Sequence, residues 1–121
     1  MPHVLLVDDD ADQREIRRLL FERRGHRVSE AATPAAALKL AKQSRPDVVL
    51  ADLRLPSADD GCALIRALAA LAPELPIVVL TGFPNDLKGR PEAELARQIL
   101  KKPCRSQQIL ALVERLAPER V

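Results

Sequence analysis

Short apolar runs alternate with stretches of helical periodicity along the whole chain. Residues 4–8, VLLVD, read as a strand ending in an acid; residues 11–24 follow as a helix with Ile16, Leu19 and Leu20 on one face. Gly25 stops that helix, since glycine tolerates the left-handed backbone just past a last turn. Residues 26–31 form a second strand, short and rich in polar positions, which suits a sheet edge. Thr33-Pro34 supplies a cap and then a proline at the first helical position, opening an alanine- and leucine-rich helix to about Ser44. Residues 47–52, DVVLAD, lack alternation and read as a strand buried on both faces, as does PIVVLT at 76–81. A helix at 61–72 separates them. A loop rich in Gly, Pro and Asn follows Thr81, then a short helix after Pro91, a strand at Gln98–Lys101 and a last helix within 105–117. Strands and helices in alternation predict an α/β fold with a parallel, doubly wound sheet and right-handed crossovers.

In such sheets ligands bind beyond the carboxyl ends of the strands. The chemistry-bearing residues fall there: Asp8, Asp9 and Asp10 after the first strand, Asp52 after the third, Thr81 after the fourth and Lys102 after the fifth. Adjacent carboxylates repel and call for a compensating cation or donors. Hard oxygen ligands of this kind suit magnesium, which takes few protein carboxylates and keeps waters for a phosphorylated substrate. Asp9, Asp10 and Asp12 equally suit the opening of a helix, where the dipole favours anions.

Composition narrows the class. At 121 residues, 47% hydrophobic and 30% charged, the chain suits one globular domain spanning residues 1–121. Two cysteines, Cys62 and Cys104, make no disulfide framework and no zinc spacing. No apolar run reaches membrane-spanning length and no signal-peptide pattern opens the chain, so the expected setting is cytoplasmic, with no membrane partner. The net charge of +2 comes from scattered arginines such as Arg17-Arg18 and Arg23-Arg24, read as a solvated helical face. With Phe21 and Phe83 the only aromatics, no nucleic-acid partner is expected. His3 and His26 are expected at the surface.

The segments VLLVDDD, VVLADLRLP, VVLTG and LKKP, in that order and spacing, resemble the receiver domain of two-component response regulators. The resemblance covers nearly the whole chain. It implies a flavodoxin-like (βα)5 three-layer sandwich with a parallel five-stranded sheet of order 2-1-3-4-5. It also implies transfer of a phosphoryl group from a phosphohistidine to Asp52, with slow hydrolysis afterwards and no turnover of a separate substrate. Asp8, Asp9, Asp52 and the backbone carbonyl of Arg54 match the ligands of a magnesium ion, for which manganese can substitute. Asp10 matches a third acid that caps the helix. Thr81 matches the switch hydroxyl and Lys102 the lysine that pairs with a phosphoryl oxygen, whereas Lys101 is one position off and faces the other way. The implied partners are a histidine kinase or a histidine phosphotransfer domain, with a homodimer through the fourth-helix to fifth-helix face as a further option.

The chain departs from the common receiver pattern in several places. Ile99, three residues before Lys102, stands where many receivers carry a switching aromatic. Ser57 to Asp60 add one residue before Gly61, which predicts a longer loop beside Asp52. Pro91 falls where a fourth helix is usually mid-course, which predicts a short or irregular helix. With the TG after the fourth strand, these features look most like the receivers at the C-termini of hybrid histidine kinases. Two rival functions share parts of this pattern. A haloacid-dehalogenase-like phosphohydrolase shares Asp8-x-Asp10 but needs an acidic pair beyond Lys102, where only Glu114 and Glu119 follow. A degenerate receiver acting as a phosphorylation-independent docking module is disfavoured because every site position is filled.

Overall fold

The computed structural model describes residues 2–117, and the strands are His3–Val7 (β1), Arg27–Ala31 (β2), Val48–Asp52 (β3), Ile77–Thr81 (β4) and Gln98–Lys101 (β5). The helices are Ala11–Arg23 (α1), Pro34–Gln43 (α2), Ala58–Leu71 (α3), Glu92–Leu95 (α4) and Ser106–Leu116 (α5), with a 3-10 turn at Pro84–Leu87. All strand pairs are parallel and the order is β2-β1-β3-β4-β5, as expected of a flavodoxin-like receiver fold. The polar β2 is an edge strand.

Side chains alternate across each strand, so the sheet feeds two cores. Leu5, Val7, Val49, Ala51, Ile77 and Val79 pack with α2 and α3 on one side. Val4, Leu6, Val48, Leu50, Val78, Leu80 and Leu100 pack with Phe21 of α1 and with Ile109, Leu112 and Val113 of α5 on the other. Helices on both faces cover the central strands β1, β3 and β4, which is why those strands carry unbroken apolar runs.

Local chemistry sets the helix starts. Asp10 caps α1, its carboxylate accepting from the Asp12 and Gln13 amides, and Thr33 caps α2 through the Ala36 amide. Gly25 takes φ 84 just past α1. Among the described residues no helix is long and apolar enough to cross a membrane.

Four expectations need correction. α3 begins at Ala58 rather than at 61, because the Ser57 hydroxyl accepts the Asp60 amide and donates to its carboxylate at 2.7 Å. Residues 58–60 therefore form the first helical turn, and the longer loop does not form. On α1, Ile16 and Leu19 are 54% and 49% exposed, while Phe21 is fully buried and Arg17 turns inward. The stripe facing the protein thus runs through Arg14, Arg17 and Phe21, three and four residues apart. His3 is buried in β1, with Nε2 2.7 Å from the Ser29 hydroxyl. His26 is also largely enclosed, with Nε2 2.7 Å from a Glu114 carboxylate oxygen. The short α4 anticipated from Pro91 is four residues long.

Candidate functional site

The strand ends bring Asp8, Asp9, Asp52, Arg54, Thr81 and Lys102 around one cleft of about 310 Å³, also lined by Asp10, Gln13, Leu53, Leu80, Gly82 and Phe83. Two features of the backbone set its floor. Asp8 and Asp52 sit where neighbouring strands β1 and β3 end, and Leu53 continues the ladder by donating to the Leu80 carbonyl. Lys102 lies one residue past β5, with its amide donating to the Thr81 carbonyl at 2.8 Å.

One carboxylate oxygen from each of Asp8, Asp9 and Asp52 lies within 4.8 Å of the others. Asp8 and Asp52 are buried, and Asp9 is exposed at the mouth. The Lys102 ammonium reaches Asp52 Oδ1 at 2.9 Å, while Lys101 is exposed, as strand alternation requires. Asp52 Oδ1 is shielded from solvent and has that ion-pair contact but no hydrogen bond of good geometry. Burial pushes the Asp52 carboxyl up to about 6, against the pull of Lys102 and with help from the neighbouring Asp8. A crowded set of hard oxygens with an under-satisfied buried acceptor fits a small divalent cation.

Thr81 is buried and its Oγ1 accepts the Phe83 amide at 2.9 Å, which orients the hydroxyl at the edge of the cleft. The Arg54 guanidinium stacks 3.6 Å from the centroid of the Phe83 ring and donates to Asp86 at 2.9 Å. Ile99 is half-buried on the α2–α3 side of β5. Cys62 is buried in the core, and the Cys104 thiol faces Gln108 Oε1 at 3.4 Å, outside the cleft.

Gly61 is required by close approach: a Cβ there meets the Leu53 carbonyl oxygen at 1.6 Å. α3 can therefore press against the segment that follows Asp52 only with glycine at this position.

Within the cleft, Arg17 departs from the sequence expectation of a solvated helical face. Its Nη1 donates to Asp8 Oδ2 at 2.7 Å and lies 3.9 Å from Asp52 Oδ1, with the side chain only 12% exposed. The available signal was its spacing from Phe21, four residues on and one turn along the same face.

A family model described as the response regulator receiver domain matches residues 4–114. The chain belongs to this family. This receiver domain is 38% identical over 89 residues to the transcriptional regulatory protein AfsQ1 of Streptomyces coelicolor, covering 72% of this chain and 38% of that protein. It is 38% identical over 110 residues to the sensor histidine kinase AruS of Pseudomonas aeruginosa, covering 88% of this chain and 11% of that protein. The solved receiver domain of NtrX from Brucella abortus superposes with a TM-score of 0.83 at 28% identity, covering 94% of this chain and 97% of that one. The receiver thus spans well under half the length of these two curated relatives.

Proposed function

We propose that residues 1–121 form one receiver domain that accepts a phosphoryl group on Asp52 from a phosphohistidine of a histidine kinase or histidine phosphotransfer domain. The observation that carries this is the cluster of Asp8, Asp9 and Asp52 within 4.8 Å, with Lys102 Nζ 2.9 Å from the acceptor carboxylate. An Asp52 oxygen attacks phosphorus, the P–N bond of the donor breaks and its electron pair returns to the imidazole, leaving an acyl phosphate on Asp52. Since burial raises this carboxyl only to about 6, the nucleophilic carboxylate predominates at neutral pH. Asp8, Asp9, Asp52 and the Arg54 backbone carbonyl would hold magnesium, or manganese in its place, which when bound neutralises charge on the transferred group. Lys102 pairs with one phosphoryl oxygen and the Thr81 hydroxyl hydrogen-bonds another. Water later hydrolyses the acyl phosphate, so the domain catalyses only its own modification and its reversal.

The domain's setting is cytoplasmic in this reading. Relatives named as transcriptional regulators and as a sensor histidine kinase support a regulator or a hybrid-kinase origin, with output through a partner or a further domain. Ile99 makes the output change one without an aromatic ring at that position. Leu95, 43% exposed on α4, suits a dimer through the α4–α5 face, and no nucleic-acid contact is assigned to these residues.

The test is intact mass after incubation with phosphoramidate or acetyl phosphate, with and without magnesium, beside Asp52→Asn. A magnesium-dependent gain of about 80 Da, one phosphoryl group, that vanishes in the variant is expected. No gain in the parent protein under any condition favours the docking-module reading.

A further inference from the structure

Arg17 occupies an inward-facing position of α1, where an apolar residue could be buried at no electrostatic cost. It sits one turn from the fully buried Phe21 on the inward stripe, while Ile16 and Leu19 of the same helix are exposed. An arginine side chain only 12% exposed needs a paired acid. Arg17 has one in Asp8, at 2.7 Å, and a second carboxylate close by in Asp52, at 3.9 Å.

The remaining oxygen of Asp8 is committed too: Oδ1 accepts the Asp10 amide at 2.9 Å. Whichever Asp8 oxygen turns to a metal ion, an existing partner is shared or given up, and sharing Oδ2 places two cations on one carboxylate. Charge counting gives the same sign. Asp8, Asp9 and Asp52 bring three negative charges, and Lys102 and Arg17 bring two positive ones. Removing Arg17 makes the surroundings that an incoming divalent ion meets more negative by one unit charge.

We propose that Arg17 is a built-in counter-cation of the acidic cleft, which holds Asp8 when no metal is bound and competes with the divalent ion for it, so that it sets the domain's metal affinity. Arg17 is therefore a positioning residue that acts through Asp8. The proposal rests on the metal-binding reading above. In the metal-free protein Arg17 offsets the carboxylate repulsion, and on metal binding that role passes to the ion.

The experiment is calorimetric titration of magnesium, and separately manganese, into the parent protein, Arg17→Gln and Arg17→Lys, beside thermal melts in chelator and in saturating magnesium. Arg17→Gln is expected to bind magnesium roughly threefold to tenfold more tightly. It should melt lower than the parent in chelator, with the gap closing in saturating magnesium. Arg17→Lys, which keeps the charge and loses the fork, should fall between the two. Should Arg17→Gln be unfolded in chelator, the Arg17→Lys titration decides, and affinity equal to or below that of the parent overturns the proposal. Equal or weaker affinity in a folded Arg17→Gln overturns it as well, while leaving the metal site standing. Absence of binding of either ion to all three proteins overturns the metal reading itself, and the proposal with it.

Discussion

At the scale of single residues, Asp52 shows how the acidity of a carboxyl is set by its surroundings. Burial raises its carboxyl from 3.8 to about 6, so the fold disfavours the ionised form. The resulting cost is absent below about pH 4, grows as pH rises through 6 and is complete above it. Asp52→Asn keeps the shape and removes this cost. In chelator it should therefore be more stable than the parent at pH 7.5, by about 1–2 kcal/mol once solvent access is allowed for. Melting curves across pH should show the two proteins converging toward pH 4; a constant offset down to that pH would mean the gain is not electrostatic. Thr81 and Lys102 were legible residue by residue, because each ends or just follows a strand whose apolar run is unmistakable. Arg17 was not, since its neighbour Arg18 is a half-buried arginine paired with Glu22 at 2.8 Å on the outer side of the helix, and the two look alike in one dimension.

At the scale of elements, the caps and stops explain most boundaries. Thr33-Pro34, Asp10 and Gly25 were readable because each acts on its nearest neighbours in sequence. The start of α3 differs from the sequence expectation because the Ser57–Asp60 reciprocal bonds turn residues that count as extra loop before Gly61 into a first helical turn. Gly61 depends on a contact no local pattern reveals. Gly61→Ala drives a methyl into the Leu53 carbonyl, and since that obstacle is backbone it cannot rotate away. A loss of about 2–3 kcal/mol is expected from chemical denaturation, despite alanine's better helix propensity. If Asp52 is the phosphoacceptor proposed above, the displaced Leu53 segment should also slow its phosphorylation. A Gly61→Ala protein as stable as the parent would show that α3 shifts freely and that the close approach is unimportant.

At the scale of the whole molecule, stability is unevenly spread. β1, β3 and β4 are buried on both faces, whereas between Pro84 and Leu95 only Leu87 and Glu92 are buried. A four-residue α4 is far below the length at which a helix holds itself together, about 12 residues. Its ties to the rest include Glu92 with Arg66 of α3, at 3.4 Å. Hydrogen exchange should thus find the amides of 84–96 opening first and those of β3 and β4 last. Phosphorylation should change protection most in that same segment, which adjoins Phe83 and the cleft. Protection equal to that of the central strands would rule out this segment as the yielding part of the fold.

The alternation of apolar runs and helical stretches by itself determined the fold class and the rim on which the acids, Thr81 and Lys102 meet. It did so because a buried parallel strand must be apolar throughout, and its carboxyl end is the first place a polar side chain is free to emerge. Tertiary structure alone decided that Arg17 turns in while Ile16 and Leu19 turn out, that His3 is buried, and that Gly61 abuts Leu53. Those outcomes depend on which surface each element meets, and on charges and carbonyls supplied by residues distant in sequence.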